Sequence, residues 1–340
     1  MAKRVVIVGG GPAGMQTALE LKARGIEPII VERDVELGGK VRDWHKLFPS
    51  FTPASDVLDP IIRGVKSAKI RCFLGQEVRA IAPDGVTLRS EERINADAVV
   101  VATGFTLFDA HRKQEYGYGL YSNVITSVDL ERMMNNGRVT LADGSEPRRI
   151  AILHCVGSRD EKVCQRHCSK VCCITGVKQA IELKQMFPTA DVFNFYMDIR
   201  MFGAGYEELY REAQQRYNVH FVRGRISEAA QTINDRIQIK AEDTLTGRPL
   251  RMTVDMLVLL VGMNGNRDNE SLAASASLNI APNGFFEPKD SFRGAVCSQR
   301  EGIFFAGAAT APKSLADTLA EASMTASTVA EYLNHKYNTR

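Results

Sequence analysis

The chain has 340 residues, with 43 Lys and Arg against 40 Asp and Glu, which gives a formal net charge of +3 at pH 7. This length suits two domains of ordinary size, and a hydrophobic content of 44% is typical of a folded globular protein. Because the positive charges are spread without a basic run, nothing indicates a nucleic-acid partner. The longest apolar stretch, MLVLLVGM at 256–263, is far shorter than the ~20 residues of a membrane helix, so we expect no direct membrane span.

Residues 3–34 contain an apolar strand, a glycine turn, a helix and a second apolar strand. This βαβ pattern carries GxGxxG, which is typical of dinucleotide-binding domains. Gly9 permits the tight turn, Gly11 lets the backbone approach a pyrophosphate, and Gly14 lets the helix pack on the sheet. Glu32 ends the second strand, where its carboxylate could bind a ribose hydroxyl. This motif alone leaves FAD and NAD open.

Three later segments resemble the flavoproteins with two dinucleotide-binding domains, the class of thioredoxin reductase and glutathione reductase. They are RDVELGGKV from residue 33, INADAVVVATGF from residue 94, and EGIFFAGAATAPKS from residue 301. The resemblance implies that the dinucleotide is FAD. The residues that it implies for FAD binding are Gly9, Gly11, Pro12, Ala13, Gly14, Glu32, Arg33, Gly39, Lys40, Val78, Thr103, Gly104, Gly307, Ala308 and Lys313.

The carboxy-terminal segment departs from that class at one position. Gly302 and Gly307 match its GxxxAG motif, but the aspartate that usually follows is Ala308 here, which leaves the contact to the ribityl chain unassigned. Ser314 is expected to cap the next helix together with Asp317. The neighbouring Lys313 fits either a position near the flavin ring or a solvated loop.

In this class a second domain binds NAD(P)H and begins with a second glycine motif. Here RRIAILH, residues 148–154, predicts the first strand of such a domain, but the strand runs into cysteines instead of glycines. A phosphate cradle needs backbone without side chains at the turn. We therefore expect no direct reduction by a nicotinamide coenzyme.

Five of the seven cysteines lie between residues 155 and 173. In a reducing cytoplasm, which is where we expect this protein, such a group holds a metal or does redox chemistry more often than it forms structural disulfides. The helical pattern from residue 172 places the last three of them at or beside a helix start, which favours thiolates. Because C-x-x-C is absent, a thioredoxin-like dithiol is not expected. An iron–sulfur cluster, a zinc site and packed thiols stay open on chemistry alone.

The segments CVGSRDE, HCSKVCC and NFYMDIRMFGAGYEELY resemble the heterodisulfide reductase A-subunit family, and the resemblance covers most of the chain. The pattern of that family, C-x12-C-x3-C-C, implies that one [4Fe-4S] cluster is held by Cys155, Cys168, Cys172 and Cys173. Cys164 falls outside the pattern and is expected to be a spare thiol. Two histidines and two arginines near the pattern fit either ligand-supporting groups or ordinary loop polarity; they are His154, Arg159, Arg166 and His167.

The resemblance implies an α/β fold in which a doubly wound FAD-binding domain is interrupted by a smaller α/β domain. We expect the FAD domain at 1–120 and 250–340, and the inserted domain, with the cluster in place of an NAD(P) site, at 121–249. No cysteine follows Phe48 in LFPSFTPASD, so the chain is similar to the short form found in Hdr-like complexes of sulfur-oxidising prokaryotes.

This resemblance implies an electron-transfer protein, the A-subunit of a larger complex, without catalytic residues of its own, with partner subunits and a homodimeric arrangement. Four alternatives remain. They are the flavoprotein subunit of a quinone-interacting complex, a self-contained NAD(P)H-dependent disulfide reductase, an FAD-dependent sulfide oxidoreductase, and a zinc-bearing assembly subunit.

Overall fold

The structure is a computed structural model and describes residues 3–338. Its contacts divide the chain into two compact units. The first unit comprises the described residues up to Arg42, Ala54–Thr106, and the residues from Asn264 onward. The second comprises Asp43–Pro53 and Leu107–Met263.

The strands in chain order are β1 (Arg4–Val8), β2 (Glu27–Val31), β3 (Lys46–Leu47), β4 (Thr52–Pro53), β5 (Arg71–Phe73), β6 (Val78–Ala82), β7 (Gly85–Leu88), β8 (Arg93–Asn95), β9 (Ala98–Val101), β10 (Phe105–Leu107), β11 (Val124–Thr126), β12 (Arg149–Val156), β13 (Asp191–Tyr196), β14 (His220–Arg223), β15 (Ile226–Gln231), β16 (Ile237–Asp243), β17 (Arg248–Val254), β18 (Met256–Val261), β19 (Met263–Gly265) and β20 (Ile303–Phe305). The helices are α1 (Pro12–Ala23), α2 (Ala54–Ser67), α3 (Ser127–Asn135), α4 (Cys172–Met186), α5 (Tyr206–Gln215), α6 (Asn269–Ala276) and α7 (Leu315–Asn338). Between residues 3 and 338, none of the helices is both long enough and apolar enough to cross a membrane.

The first unit is built on a five-stranded parallel sheet in the order β20-β9-β1-β2-β5. The four residues of β9 are fully buried, as expected for a strand covered on both faces. Helix α1 begins with Pro12, whose fixed φ suits the first helical position, and it packs on the sheet through Met15, Ala18 and Leu21. A separate antiparallel sheet is formed by β6, β7 and β8.

The second unit repeats this plan with the order β11-β18-β12-β13-β14. Strand β18 is buried along its whole length because it lies between β11 and β12. The predicted strand at 148–154 is β12, and the predicted helix after the cysteines is α4, which contributes Val177, Ala180 and Ile181 to the core. An antiparallel sheet of β15, β16 and β17 completes this unit.

The observed division differs from the boundaries expected at 121 and 249. The second unit extends to 107 and 263, because β18 pairs within its sheet. It also takes in 43–53, where the Lys46 carbonyl accepts a hydrogen bond from Lys178 of α4 at 3.0 Å. An apolar strand pattern does not indicate which of two parallel sheets the strand joins.

Candidate functional site

The turn between β1 and α1 is shaped by three glycines with different roles. Gly9 has φ +115°, and a Cβ there would lie 2.3 Å from the Ala102 carbonyl oxygen. A Cβ at Gly14 would lie 2.0 Å from the Gly9 oxygen, whereas a Cβ at Gly11 would meet no atom within 4 Å. Gly9 and Gly14 are therefore needed for the chain to pack, and Gly11 leaves open space at the helix start.

The segments that resemble FAD-binding elements meet at this turn. A Cβ at Gly39 would lie 3.2 Å from Gly11 Cα, and a Cβ at Gly307 would lie 2.6 Å from Ala13 Cβ. No side chain caps the N-terminus of α1, so its first N–H groups are available to an anion. Open space, uncapped N–H groups and three converging segments fit the pyrophosphate of a dinucleotide.

Glu32 is buried, and both of its oxygens are engaged by backbone. Oε2 accepts the Gly10 N–H at 2.5 Å, and Oε1 accepts the Asp34 N–H at 2.9 Å. A carboxylate has about four acceptor positions, so capacity remains for a ribose hydroxyl. The neighbouring Arg33 pairs with Asp268 at 2.8 Å, beside the start of α6.

The other predicted flavin contacts lie in several elements. The Thr103 hydroxyl donates to Asn269 Oδ1 at 3.1 Å, Lys40 lies over the Phe105 ring at 5.3 Å, and Ala308 is buried in the turn after β20. Val78 is the first residue of β6.

Lys313 is not a solvated loop lysine. Its ammonium donates to the Gly307 carbonyl at 2.9 Å and to the Thr310 hydroxyl at 2.8 Å, and it pairs with Glu321 at 2.6 Å. The cap that the sequence predicts is confirmed: the Asp317 N–H donates to the Ser314 hydroxyl at 3.1 Å. Lys313 therefore fixes the turn that follows β20 to the first turns of α7.

Three of the predicted cluster ligands converge in the second unit. Cys155 lies near the end of β12, while Cys172 and Cys173 begin α4, and all three are buried. The Cys172 thiol lies within hydrogen-bonding reach of both other sulfurs, and its single proton is donated to one of them at a time. Cys168 is half-buried and accepts the Lys170 N–H at 3.4 Å.

These hydrogen bonds set the charge of the thiols. The bond from Cys172 lowers the pKa of Cys173 to about 4, with further help from His154, and it lowers the pKa of Cys155 to about 7. Hydrogen bonding with Cys155 and Cys173 favours the protonated form of Cys172 and, together with burial, raises its pKa well above the ordinary value. Two of the three converging sulfurs are thus poised to be thiolates, the form that binds metal.

Two of the four candidate supporting groups lie beside the thiols. Burial opposes protonation of His154, but hydrogen bonding to Cys173 and Asn194 and the charges of Cys173 and Cys155 together raise the pKa of His154. Arg159 pairs with Asp198 at 2.6 Å, and its pKa is also raised by the charges of Cys155 and Cys168. By contrast, His167 Nε2 lies 2.7 Å from the Met263 oxygen, and Arg166 is 81% exposed.

The loop that carries the cysteines is anchored by a buried carboxylate. Asp160 is 2% exposed, accepts a hydrogen bond from Lys113 at 2.8 Å and pairs with Arg225. It also accepts the Lys162 N–H at 3.1 Å. Sequence reasoning missed Lys113 and Arg225, because both lie far from the loop in sequence and in no recognisable motif.

The junction between β12 and α4 differs in kind from the glycine turn of the first unit. In the first unit, residues 9–11 alone join strand to helix, whereas residues 157–171 do so here. Cysteine side chains occupy the helix start, where a cradle would need bare backbone.

The thiol-only donors, the lowered pKa values and the neighbouring cations fit a thiolate-ligated iron–sulfur cluster. Among residues 3–338, however, no group of three or more His, Cys, Asp or Glu side chains stands ready to hold a metal ion. We therefore treat the cluster as a proposal.

Comparison with known proteins shows which families and structures this chain is similar to. A family model described as pyridine nucleotide-disulphide oxidoreductase matches residues 3–152. The iron–sulfur A-subunit of the CoB--CoM heterodisulfide reductase of Methanocaldococcus jannaschii is 31% identical, over 96% of this chain and 64% of that protein. The A-subunit of the H(2):CoB-CoM heterodisulfide,ferredoxin reductase of Methanothermobacter thermautotrophicus is 36% identical, over 81% of this chain and 42% of that protein.

Over most of its length the chain is therefore similar to heterodisulfide reductase A-subunits. It spans less than two thirds of the length of these relatives. Among solved structures, the Lactococcus lactis thioredoxin reductase in its FR conformation matches with a TM-score of 0.69 and 16% identity, over 98% of this chain and 99% of that one. This match confirms the predicted fold, which is that of flavoproteins with two dinucleotide-binding domains.

Proposed function

We propose that this protein is an electron-transfer flavoprotein that carries FAD in its first unit and one [4Fe-4S] cluster in its second. It works as the A-subunit of a heterodisulfide reductase-like complex in sulfur metabolism. The names of the relatives support the subunit role, since both are described as the A-subunit of such a reductase. Because the chain covers only part of those proteins, the chemistry is argued from its own residues.

The convergence of Cys155, Cys172 and Cys173 carries this proposal. Three buried sulfurs, two of them with lowered pKa, form a donor set that suits a cluster. Cys168 of the same loop would be the fourth ligand. Arg159 lies close enough to offset part of the negative charge that four thiolates bring, which raises the potential of a cluster.

In the first unit, the α1 N-terminus and Gly11 would hold the pyrophosphate of FAD, and Glu32 would bind a ribose. The residues around the turn, including Lys40, Thr103 and Ala308, would line the rest of the cofactor. When bound, the flavin supplies two-electron or one-electron chemistry and the cluster supplies one-electron chemistry. The protein itself binds these groups, excludes water and tunes their potentials, and no acid, base or nucleophile is needed.

All seven cysteines are free thiols, which suits the reducing cytoplasm where we place the protein. We further propose a homodimer that associates with other subunits of the complex. Analytical ultracentrifugation of the purified chain would give about twice the monomer mass, and a monomer would refute the dimer.

The experiment that tests the proposal is anaerobic purification, followed by quantification of iron, acid-labile sulfide and FAD. Electron paramagnetic resonance before and after dithionite reports the cluster. We expect about four irons and four sulfides with one FAD per chain, as one [4Fe-4S] cluster and one flavin require.

Cys172→Ala removes a proposed ligand, and Cys164→Ala removes an exposed thiol of the same loop as the matched control. We expect the first variant to lose iron and the paramagnetic signal while it retains FAD, and the second to keep both. Zinc or no metal in the unaltered protein would overturn the cluster. Flavin reduction by sulfide alone would favour a sulfide oxidoreductase instead.

A further inference from the structure

The loop after β13 connects the buried thiols to the surface of the second unit. The Arg200 backbone N–H donates to the Cys173 sulfur, and the Asp198 carbonyl oxygen lies 3.5 Å from it. Phe202, two residues after Arg200, is 60% exposed. Residues 198–202 therefore connect the contact with this sulfur to an exposed aromatic side chain.

Cations gather around the same loop. The Asp198 carboxylate lies 2.6 Å from Arg159, 3.9 Å from Arg200 and 3.9 Å from Arg223. One carboxylate balances one guanidinium, so this group carries a surplus of two positive charges. The side chains of Arg200 and Arg223 are 43% and 46% exposed.

Lys170 adds a fourth cation, since its ammonium lies over the Phe202 ring at 5.8 Å from the ring centroid. Lys170 lies in the cysteine loop between Cys168 and Cys172. The Phe202 ring therefore lies next to the stretch of chain that joins these two proposed ligands. We call Lys170, Arg200, Phe202 and Arg223 the Phe202 surface.

The composition of the Phe202 surface is that of an interaction site. Aromatic and Arg side chains are enriched where protein interfaces gain most of their binding energy. The excess positive charge selects a negatively charged partner. Glu207 and Glu208 follow in the first turn of α5 and limit the positive region, which disfavours a long polyanion and favours a compact acidic patch on a protein.

We propose that the Phe202 surface docks the acidic face of an electron-carrying protein, with an apolar side chain of that partner against Phe202. Single electrons pass between the partner and the second unit through residues 198–202, so that one centre is oxidised as the other is reduced. The electron-transfer part of this inference rests on the proposed function. The docking part rests only on the surface itself.

The test measures docking and electron transfer separately. Binding of a fluorescently labelled acidic plant-type ferredoxin, used as the probe, is followed by anisotropy. The salt concentration is varied from about 0.01 M to about 0.15 M, over which the Debye length falls from about 30 Å to about 8 Å. Electron transfer from the reduced probe is followed by stopped-flow, with dithionite as the small reductant that needs no docking.

We expect salt-sensitive binding that Arg200→Glu/Arg223→Glu weakens at least about tenfold at low salt, with a slower reaction with the probe and unchanged reduction by dithionite. Phe202→Ala should weaken binding with little change in its salt dependence. Arg248→Glu/Arg251→Glu, at exposed positions of β17, alters the net charge equally and should leave binding within about twofold. Glu208→Gln should not weaken binding.

Absence of salt-sensitive binding by the unaltered protein, or equal weakening by both double variants, would overturn the docking inference. Iron and sulfide contents of the same samples separate this inference from the proposed function. A protein without iron that still binds the probe through Arg200 and Arg223 would refute the cluster and retain the docking surface. An iron-loaded protein that does not bind the probe would refute the docking surface and retain the cluster.

Discussion

At the scale of single residues, the first unit distinguishes glycines that the fold needs from a glycine that the ligand needs. A Cβ at Gly14 would clash with the Gly9 carbonyl at 2.0 Å, whereas a Cβ at Gly11 would meet nothing. The motif GxGxxG treats these positions alike. Only the packing around each one separates their roles.

We predict that Gly11→Ala lowers FAD content at least about tenfold and leaves the melting temperature of the FAD-free protein within about 2 °C, because the added methyl group occupies the phosphate approach alone. Gly14→Ala should instead lower the melting temperature itself, since α1 must move away from the glycine turn. Fluorescence-monitored melting and flavin absorbance measure both quantities. Equal melting temperatures for the two variants would contradict this distinction.

The family pattern implied four ligand cysteines, and the structure brings the sulfurs of three of them together, but the pattern does not indicate how these sulfurs share charge. Cys172 reaches both neighbours because Cys155 lies near the end of β12 opposite the start of α4, an arrangement that spacing does not give. The contact of the Arg200 backbone with Cys173 was missed for the same reason. The available signal was the segment NFYMDIRMFGAGYEELY, which the sequence analysis used only as part of the family resemblance.

At the scale of elements, α4 holds segment 43–53 through a buried lysine. Lys178 is 2% exposed and pairs with Glu131 of α3 at 2.5 Å and with Glu182 at 3.0 Å. Glu131 also accepts the His45 N–H at 2.8 Å, which ties the segment to both helices. No sequence pattern marks this network, because its members come from three distant parts of the chain.

Lys178→Met should lower the free energy of unfolding by about 3–5 kcal/mol, because two buried carboxylates lose their counter-ion. The matched variant is Lys184→Met in the same helix, whose ammonium donates to the Pro188 and Ala190 carbonyls at 2.9 and 2.8 Å. We expect it to cost about 1 kcal/mol. Urea unfolding of both variants decides the point, and equal losses would argue against a counter-ion role for Lys178.

At the scale of the whole molecule, two units share one plan of parallel sheet and crossover helix but differ at the strand-helix junction. The local βαβ pattern with its glycine turn predicted the start of the first unit, whereas the two-domain plan was implied by the family resemblance. The sequence placed the unit boundaries at 121 and 249 instead of near 107 and 263, since strand pairing is decided by tertiary contacts. At the strand-helix junction, the first unit has bare backbone that suits a phosphate, and the second unit has cysteine side chains at the corresponding position.

This difference predicts that NADH and NADPH do not reduce the flavin of the purified protein directly, because α4 begins with cysteine side chains where coenzyme phosphates need bare backbone. Anaerobic absorbance of the flavin after addition of either coenzyme measures this. Dithionite is the positive control. Rapid bleaching by NADH would restore the self-contained disulfide reductase as the better description.

The number of electrons that one chain accepts tests the proposed pair of cofactors most directly. In an anaerobic dithionite titration, followed by flavin absorbance and paramagnetic resonance, we predict an uptake of about three electrons per chain, two by the flavin and one by the cluster. Cys172→Ala with its FAD retained should take up about two. An uptake of about two electrons by the unaltered, fully flavin-loaded protein, with no paramagnetic signal, would contradict a cluster in the second unit.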